Sequence, residues 1–185
     1  MEKYYHQYKP FLFFLLKFFL SYILLTVLYH AYLSRFDATA FEVDSVTKVV
    51  AKQAQQLVQF FGYNSEIAEN AEQNSVKFFV EGKYVARVVE GCNAISVLIL
   101  FVAFVVAFKG TWKHTLLYLL FGIVFIYSLN ILRIALISIA LYFYPEQEHL
   151  IHGVLFPLFI YGVVFLLWVI WVNKFSSYAT KTTSK

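Results

Sequence analysis

The sequence predicts an all-α integral membrane protein with four transmembrane helices and one extracytoplasmic insertion between the first and second. Of its 185 residues, 61% are hydrophobic and 21% are aromatic, which exceeds the roughly 45–50% apolar share of a soluble domain. The net charge is +4, but the lysines flank the apolar runs and do not cluster with aromatic residues. The basicity therefore indicates membrane topology and no nucleic-acid partner.

Four apolar runs define the predicted helices, because each approaches the roughly 20 residues that cross a bilayer. The first run contains Lys17, which lies near its start and reaches the interface. It has no small-residue cleavage pattern, so we expect a retained span and not a removed signal peptide. The predicted segments are a lead at 1–10, helices at 11–33, 92–108, 115–143 and 153–172, connections at 34–91, 109–114 and 144–152, and a disordered tail at 173–185.

The positions of the lysines predict how these helices are oriented in the membrane. With four spans, the lead, the 109–114 loop and the tail fall on one side, and all three carry lysines. The positive-inside rule makes that side cytoplasmic. The 34–91 region and the acidic 144–152 loop are then predicted to face outward.

The 34–91 insertion contains two structural patterns. Val43–Phe61 has apolar residues at helical spacing among lysines and glutamines, which predicts an amphipathic helix. Residues 62–74 are polar and turn-like. Apolar residues then alternate on both sides of Glu81-Gly82-Lys83, which predicts a β-hairpin with glycine in its turn.

One arginine lies inside the third apolar run. Between Lys113 and Glu146 the only charged residue is Arg133, and a cation at bilayer depth costs at least about 2.5–3.5 kcal/mol. Asn130 lies one turn earlier on the same helical face. At 1.5 Å per residue, Arg133 is about 27 Å from Thr115 and hence in the outer part of the membrane.

Two further reactive side chains are predicted at the same depth. Cys92 stands at the outer end of the second span and His152 at the outer start of the fourth. A thiolate is a nucleophile whose pKa falls beside a cation. Histidine transfers protons, and a buried arginine stabilises an oxyanion. The three residues together indicate acyl transfer.

Each residue also has a structural interpretation. Cys92 could be a small buried hydrophobe, and Arg133 could bind backbone carbonyls or a lipid phosphate. His149 lies in the same loop as His152 and could replace it. The single cysteine excludes an internal disulfide and a cysteine-cluster metal site, and no motif for a metal, nucleotide or other cofactor is visible. The remaining histidines are interpreted as interfacial polar residues: His6, His30 and His114.

At these residues the chain resembles the exosortase/archaeosortase family of membrane-embedded cysteine transpeptidases. The resemblance rests on Cys92 in EGCNAISVLILF, Asn130–Arg133 in NILRIALI and His152 in HGVLFPLF. Its short length and aromatic richness are similar to the compact exosortase F (XrtF) type of Gram-negative bacteria. Two features depart from the family. Asn93-Ala94 stands where a Ser/Thr-Gly pair is common, and four spans replace about eight.

The resemblance implies a catalytic triad of Cys92, Arg133 and His152, facing the periplasm from a multi-pass protein of the bacterial inner membrane. Asn130 and Asn93 are the candidate substrate-binding residues. The implied substrates are exported proteins with a C-terminal sorting signal: a short recognition motif, a transmembrane helix and a basic tail. The enzyme would cleave this signal through a thioester, and a lipid or glycan acceptor, or water, would resolve the intermediate.

Other functions remain open on the sequence alone. The main alternative is a non-catalytic membrane subunit or chaperone of a protein sorting or secretion system. A transporter that binds an anion at Arg133 lacks a discontinuous helix signal. A thiol oxidoreductase lacks a second, resolving cysteine.

Overall fold

The structure, a computed structural model, describes residues 2–37, 40–108 and 110–175. Side chains are described from Tyr8 onward, except those of His152 and Phe156. Most of the predicted tail, and Lys109 in the predicted 109–114 loop, therefore lie outside the described residues.

Three helices in the described part of the chain are long and apolar enough to cross a membrane. They are Tyr8–Leu33, Trp112–Phe143 and Pro145–Phe175. The chain is thus a mostly helical, multi-pass integral membrane protein. The first of these helices lies within α1 (Glu2–Leu33), which begins inside the predicted polar lead.

The second predicted span corresponds to a shorter helix. Helix α3 (Ile95–Ala107) has 13 residues, so it is about 20 Å long, shorter than a hydrocarbon core of roughly 30 Å. It packs against α1 and against α4 (Trp112–Phe143). A complete fourth crossing stays a prediction.

Helices α3 and α4 approach each other closely at Gly122. A Cβ atom on Gly122 would lie 2.2 Å from Cζ of Phe101, and Phe101 is fully buried. Glycine is therefore required there by the ring of the neighbouring helix, as is common where membrane helices pack closely.

Between α1 and α3 the chain forms a module of one helix and three strands, Ser45–Val89. Helix α2 (Ser45–Phe60) is capped by Asp44, whose carboxylate accepts a hydrogen bond of 3.0 Å from the backbone N–H of Thr47. Val50, Ala54 and Val58 are fully buried against the sheet and α4. Burial of this apolar face attaches α2 to the rest of the protein.

The strands form one antiparallel sheet in the order β1 (Ser65–Glu69), β2 (Ser75–Val80) and β3 (Lys83–Val89). Glu81 and Gly82 join β2 to β3 with φ angles of 50° and 73°, as in a type I′ hairpin turn. β1 lies within the segment interpreted as turn-like, so that interpretation was wrong there. Ile67 is the only large apolar residue of β1, which explains the weak strand signal.

The module docks on α4 near the middle of that helix. The hydroxyl of Tyr127 donates a hydrogen bond of 2.7 Å to Oε1 of Gln53. Ile134 and Ala135 of α4 join the apolar core that α2 and the sheet form. The region around Arg133 is thereby brought under the sheet.

From Pro145 to Phe175 the described chain after α4 is helical. A 3-10 turn (Pro145–Gln147), α5 (Glu148–Leu150) and a π-helical turn (Ile151–Leu155) lead directly into α6 (Phe156–Ile170). A second π-helical turn (Trp171–Phe175) follows α6. The segment predicted as the 144–152 loop is thus helical from Pro145 onward, and Ile151 is buried against Ile137 and Leu141 of α4.

Candidate active site

Cys92 is positioned by strand β3. The strand ends at Val89, and the 3-10 turn Glu90–Cys92 follows without a break. The cysteine is only 8% exposed and belongs to the apolar core under the sheet. The thiol therefore sits at the junction between the module and α3.

Asn130 joins Cys92 to Arg133. Its side-chain amide donates a hydrogen bond of 2.8 Å to the backbone carbonyl of Cys92. Nη1 of Arg133 donates one of 3.3 Å to the amide oxygen of Asn130. The two α4 residues thus interact one turn apart, in agreement with their spacing, and Asn130 is 1% exposed.

Cys92 and Arg133 line the same cavity. Its volume is about 20 Å³, close to the space that one water molecule requires. Its other walls come from β3 and α4: Ala86, Arg87, Val88, Ile134, Ile137 and Ser138. Cys92 and Arg133 therefore border one small cavity, which in this conformation is too small for a peptide.

Arg133 also borders a second, larger space on the α6 side of α4. This groove has a volume of about 470 Å³. Apart from Arg133 its lining is apolar: Leu129, Leu132, Leu136, Leu155, Leu158 and Phe159. Nε of Arg133 is buried and makes no hydrogen bond within the described part of the chain. This donor of Arg133 is therefore inaccessible to a bound group in this conformation.

Asn93 takes part in a different network. Its amide nitrogen donates hydrogen bonds of 2.8 Å to the Tyr29 hydroxyl and 3.2 Å to Oγ1 of Thr47. Its amide oxygen accepts one of 2.9 Å from the backbone N–H of Ile95. Asn93 is 1% exposed and connects α1, α2 and α3. In this conformation it contacts structural groups, and its proposed substrate contact stays a prediction.

Ala94 has an unusual backbone conformation. Its φ angle is 69°, in the left-handed region that glycine adopts without strain. This is the position at which the family pattern has glycine. The glycine that the resemblance implies would adopt this geometry without strain, whereas alanine occupies it under strain.

The structure describes the backbone of His152 but not its side chain. The backbone lies in the π-helical turn Ile151–Leu155, whose first residue packs on α4. Such turns are frequent at functional sites. His149 is exposed on α5 and lines neither the cavity nor the groove. The role of His152 stays a prediction.

The described residues contain no group of three or more His, Cys, Asp and Glu side chains that could hold a metal ion. The grouped polar side chains are instead a thiol, an amide and a guanidinium. Such a set provides a nucleophile and hydrogen-bond donors for a developing negative charge.

A family model, described as transmembrane exosortase (Exosortase_EpsH), matches residues 9–172. The chain belongs to the transmembrane exosortase family. This membership supports a general role as a membrane transpeptidase. No curated protein and no solved structure matches the chain.

The matched range of this exosortase includes Cys92, Asn130, Arg133 and His152. The sequence interpretation missed the supporting residues around them. Tyr29 and Thr47 bind Asn93, and Ala86 and Val88 wall the cavity. No local sequence pattern identifies these residues, because each contacts residues that are distant in the sequence.

Proposed function

We propose that this exosortase is a cysteine transpeptidase or protease that cleaves the C-terminal sorting signals of exported proteins. The observation that carries the proposal is the cavity that Cys92 and Arg133 share. A cation near a cysteine favours the thiolate nucleophile, and the shared cavity supports such a role for Arg133. Family membership supports the same chemistry in general.

The proposed reaction has two halves. The Cys92 thiolate attacks the scissile carbonyl carbon, and the resulting tetrahedral intermediate collapses to a thioester as the C–N bond breaks. The amine of the released tail leaves with a proton from His152. His152 then removes a proton from an acceptor, which is a lipid or glycan amine or hydroxyl, or water. The acceptor attacks the thioester carbon, and the C–S bond breaks, which restores the Cys92 thiolate while the proton from the acceptor stays on His152.

Arg133 would hold the oxyanion and orient the substrate. Its buried Nε makes no hydrogen bond in the described part of the chain, so it would be free to donate to a developing negative charge once the substrate opens the site. One such donor contributes about 2.7–4 kcal/mol to transition-state stabilisation. The apolar groove on the other side of Arg133 suits the apolar helix of a sorting signal. In this proposal Asn130 and Asn93 contact the substrate after it opens the site.

The cellular setting is part of the proposal. The active site would face the periplasm from the inner membrane of a Gram-negative bacterium, as in the exosortase F (XrtF) type. A complete fourth span would place the lead, the 109–114 loop and the tail in the cytoplasm. The partners are the exported substrates, the bilayer and a lipid or glycan acceptor.

The experiment compares cells that produce the wild-type chain with cells that produce Cys92→Ala, Arg133→Gln or Arg35→Gln. Mass spectrometry identifies exported proteins that retain a C-terminal apolar helix. We expect such uncleaved proteins to accumulate with Cys92→Ala and Arg133→Gln. Arg35→Gln is the matched control, because Arg35 is exposed and lines neither the cavity nor the groove.

A second candidate function is a non-catalytic subunit or chaperone of a sorting system. The burial of Cys92 and the size of its cavity favour this alternative. It predicts normal processing with Cys92→Ala. Normal processing in that variant would overturn the enzymatic proposal.

A further inference from the structure

Strand β3 is an edge of the sheet. It pairs with β2 on one side only. Within the described part of the chain, its backbone groups make no hydrogen bonds outside that ladder. An edge strand offers a row of N–H and C=O groups to an incoming extended chain, and peptide-binding domains use such edges for recognition. We call the unpaired side of β3 the free edge.

The free edge leads to the candidate nucleophile. Cys92 is the last residue of the 3-10 turn that follows β3. Because each strand residue advances about 3.3 Å, successive residues of β3 approach Cys92 in steps of that length. Ala86 and Val88 of β3 line the cavity that holds Cys92 and Arg133. A peptide paired with this strand would therefore end beside that cavity.

We propose that the free edge of β3 binds the extended recognition segment of the substrate as an added parallel strand, which delivers the scissile bond to Cys92. This inference rests on the proposed function. A peptide parallel to β3 has its C-terminal end at Cys92, so the residues before the scissile bond pair with the strand. The apolar helix of the sorting signal then continues beyond Cys92. A parallel strand on an antiparallel sheet is a common mixed arrangement.

Charge favours the recognition segment over the basic tail of the signal. Lys83 and Arg87 of β3 are exposed, and Lys77 pairs with Arg87 on the neighbouring strand. These cations repel a basic peptide. The segment that precedes the apolar helix is therefore the part that suits this edge.

The two outer strands of the sheet, β3 and β1, provide matched positions for a crosslinking test. Tyr84 on β3 and Glu66 on β1 both pair with Phe79 of β2. Arg87 on β3 and Ala68 on β1 both pair with Lys77. All four edge residues are exposed, so a photo-crosslinking residue at each leaves the core intact. Thermal unfolding of each purified variant checks that it folds.

Each crosslinker is introduced into the full chain carrying Cys92→Ala, in cells where uncleaved exported proteins accumulate. Mass spectrometry then locates the crosslink on the captured protein. We expect crosslinks from Tyr84 and Arg87 on the residues just before a C-terminal apolar helix. Because the added strand is parallel, the Tyr84 crosslinks should lie N-terminal to those of Arg87.

Three results would overturn the inference. They are the reverse order of the two crosslinks, equal capture from Glu66 and Ala68, and no capture of the accumulated proteins from β3. In each case Cys92-dependent accumulation still stands, so the proposed function survives. If no uncleaved proteins accumulate with Cys92→Ala, the proposed function itself fails.

Discussion

The side-chain amide of Asn130 donates a hydrogen bond to the backbone carbonyl of Cys92, and its amide oxygen accepts one from Arg133. One buried side chain thus connects the proposed nucleophile on the turn after β3 to the proposed oxyanion donor on α4. This link explains how two residues 41 positions apart in the sequence are held around one cavity.

Asn130→Leu removes both hydrogen bonds. We expect the free energy of unfolding to fall by about 1–3 kcal/mol, because the Cys92 carbonyl loses its buried donor. We also expect a change in the alkylation rate of Cys92, the sole cysteine, measured with iodoacetamide on the purified protein. Tyr127→Phe, one turn earlier on α4, removes only a bond to Gln53. An alkylation rate that responds equally to both variants would contradict a positioning role for Asn130.

Gly122→Ala is expected to destabilise the contact between α3 and α4. The added methyl group would overlap the buried ring of Phe101, and overpacking of this kind typically costs about 1–3 kcal/mol. Thermal unfolding in detergent measures the change. Gly162→Ala is the control, because a Cβ there meets no atom within 4 Å. Equal melting temperatures for the two variants would show that α3 and α4 accommodate the added methyl group without loss of stability.

Ala94→Gly is expected to raise the stability. The left-handed conformation costs a non-glycine residue about 1–2 kcal/mol, and glycine removes this strain. The greater freedom of glycine in the unfolded chain offsets about 0.4–1 kcal/mol, so the melting temperature should rise by a small amount. Ala68→Gly in β1, where φ is not positive, should lower it. A fall with Ala94→Gly would mean that the buried methyl group contributes more than the strain.

Asn93 and Thr47 are expected to be energetically coupled. Asn93→Ala leaves the hydroxyls of Thr47 and Tyr29 without this donor, and each single variant should cost about 1–3 kcal/mol. Because the two residues share one interaction, the double variant with Thr47→Ala should cost less than the sum. Strict additivity, measured by thermal unfolding of all four proteins, would show that the hydrogen bond contributes nothing to stability.

The sequence alone was sufficient for the membrane class and for the interaction within α4. Composition and long apolar runs indicate burial in lipid regardless of how the helices pack. Arg133 and Asn130 interact because residues three apart on a helix are neighbours. The family resemblance also followed from local motifs, and the family model confirms it.

Local sequence patterns predicted secondary structure less completely in the Ser45–Val89 module and in the segment after α4. α2 lies at Ser45–Phe60, within the predicted helix, and β2 and β3 turn at the predicted glycine. β1 escaped detection because it has a single large apolar residue and is held by pairing with β2. The 144–152 segment looked like a loop, yet it is helical where Ile151 packs on α4.

Only the tertiary structure decided what surrounds Cys92. The sequence determined that a thiol, a guanidinium and an imidazole belong to a membrane protein of this family, because residue identity and periodicity are local properties. It did not reveal the hydrogen bond from Asn130 to Cys92, the small cavity that Cys92 and Arg133 border, the strained Ala94 or the free edge of β3. These features depend on how strands and helices far apart in the chain pack together, and packing is set by the shapes of all the contacting side chains at once.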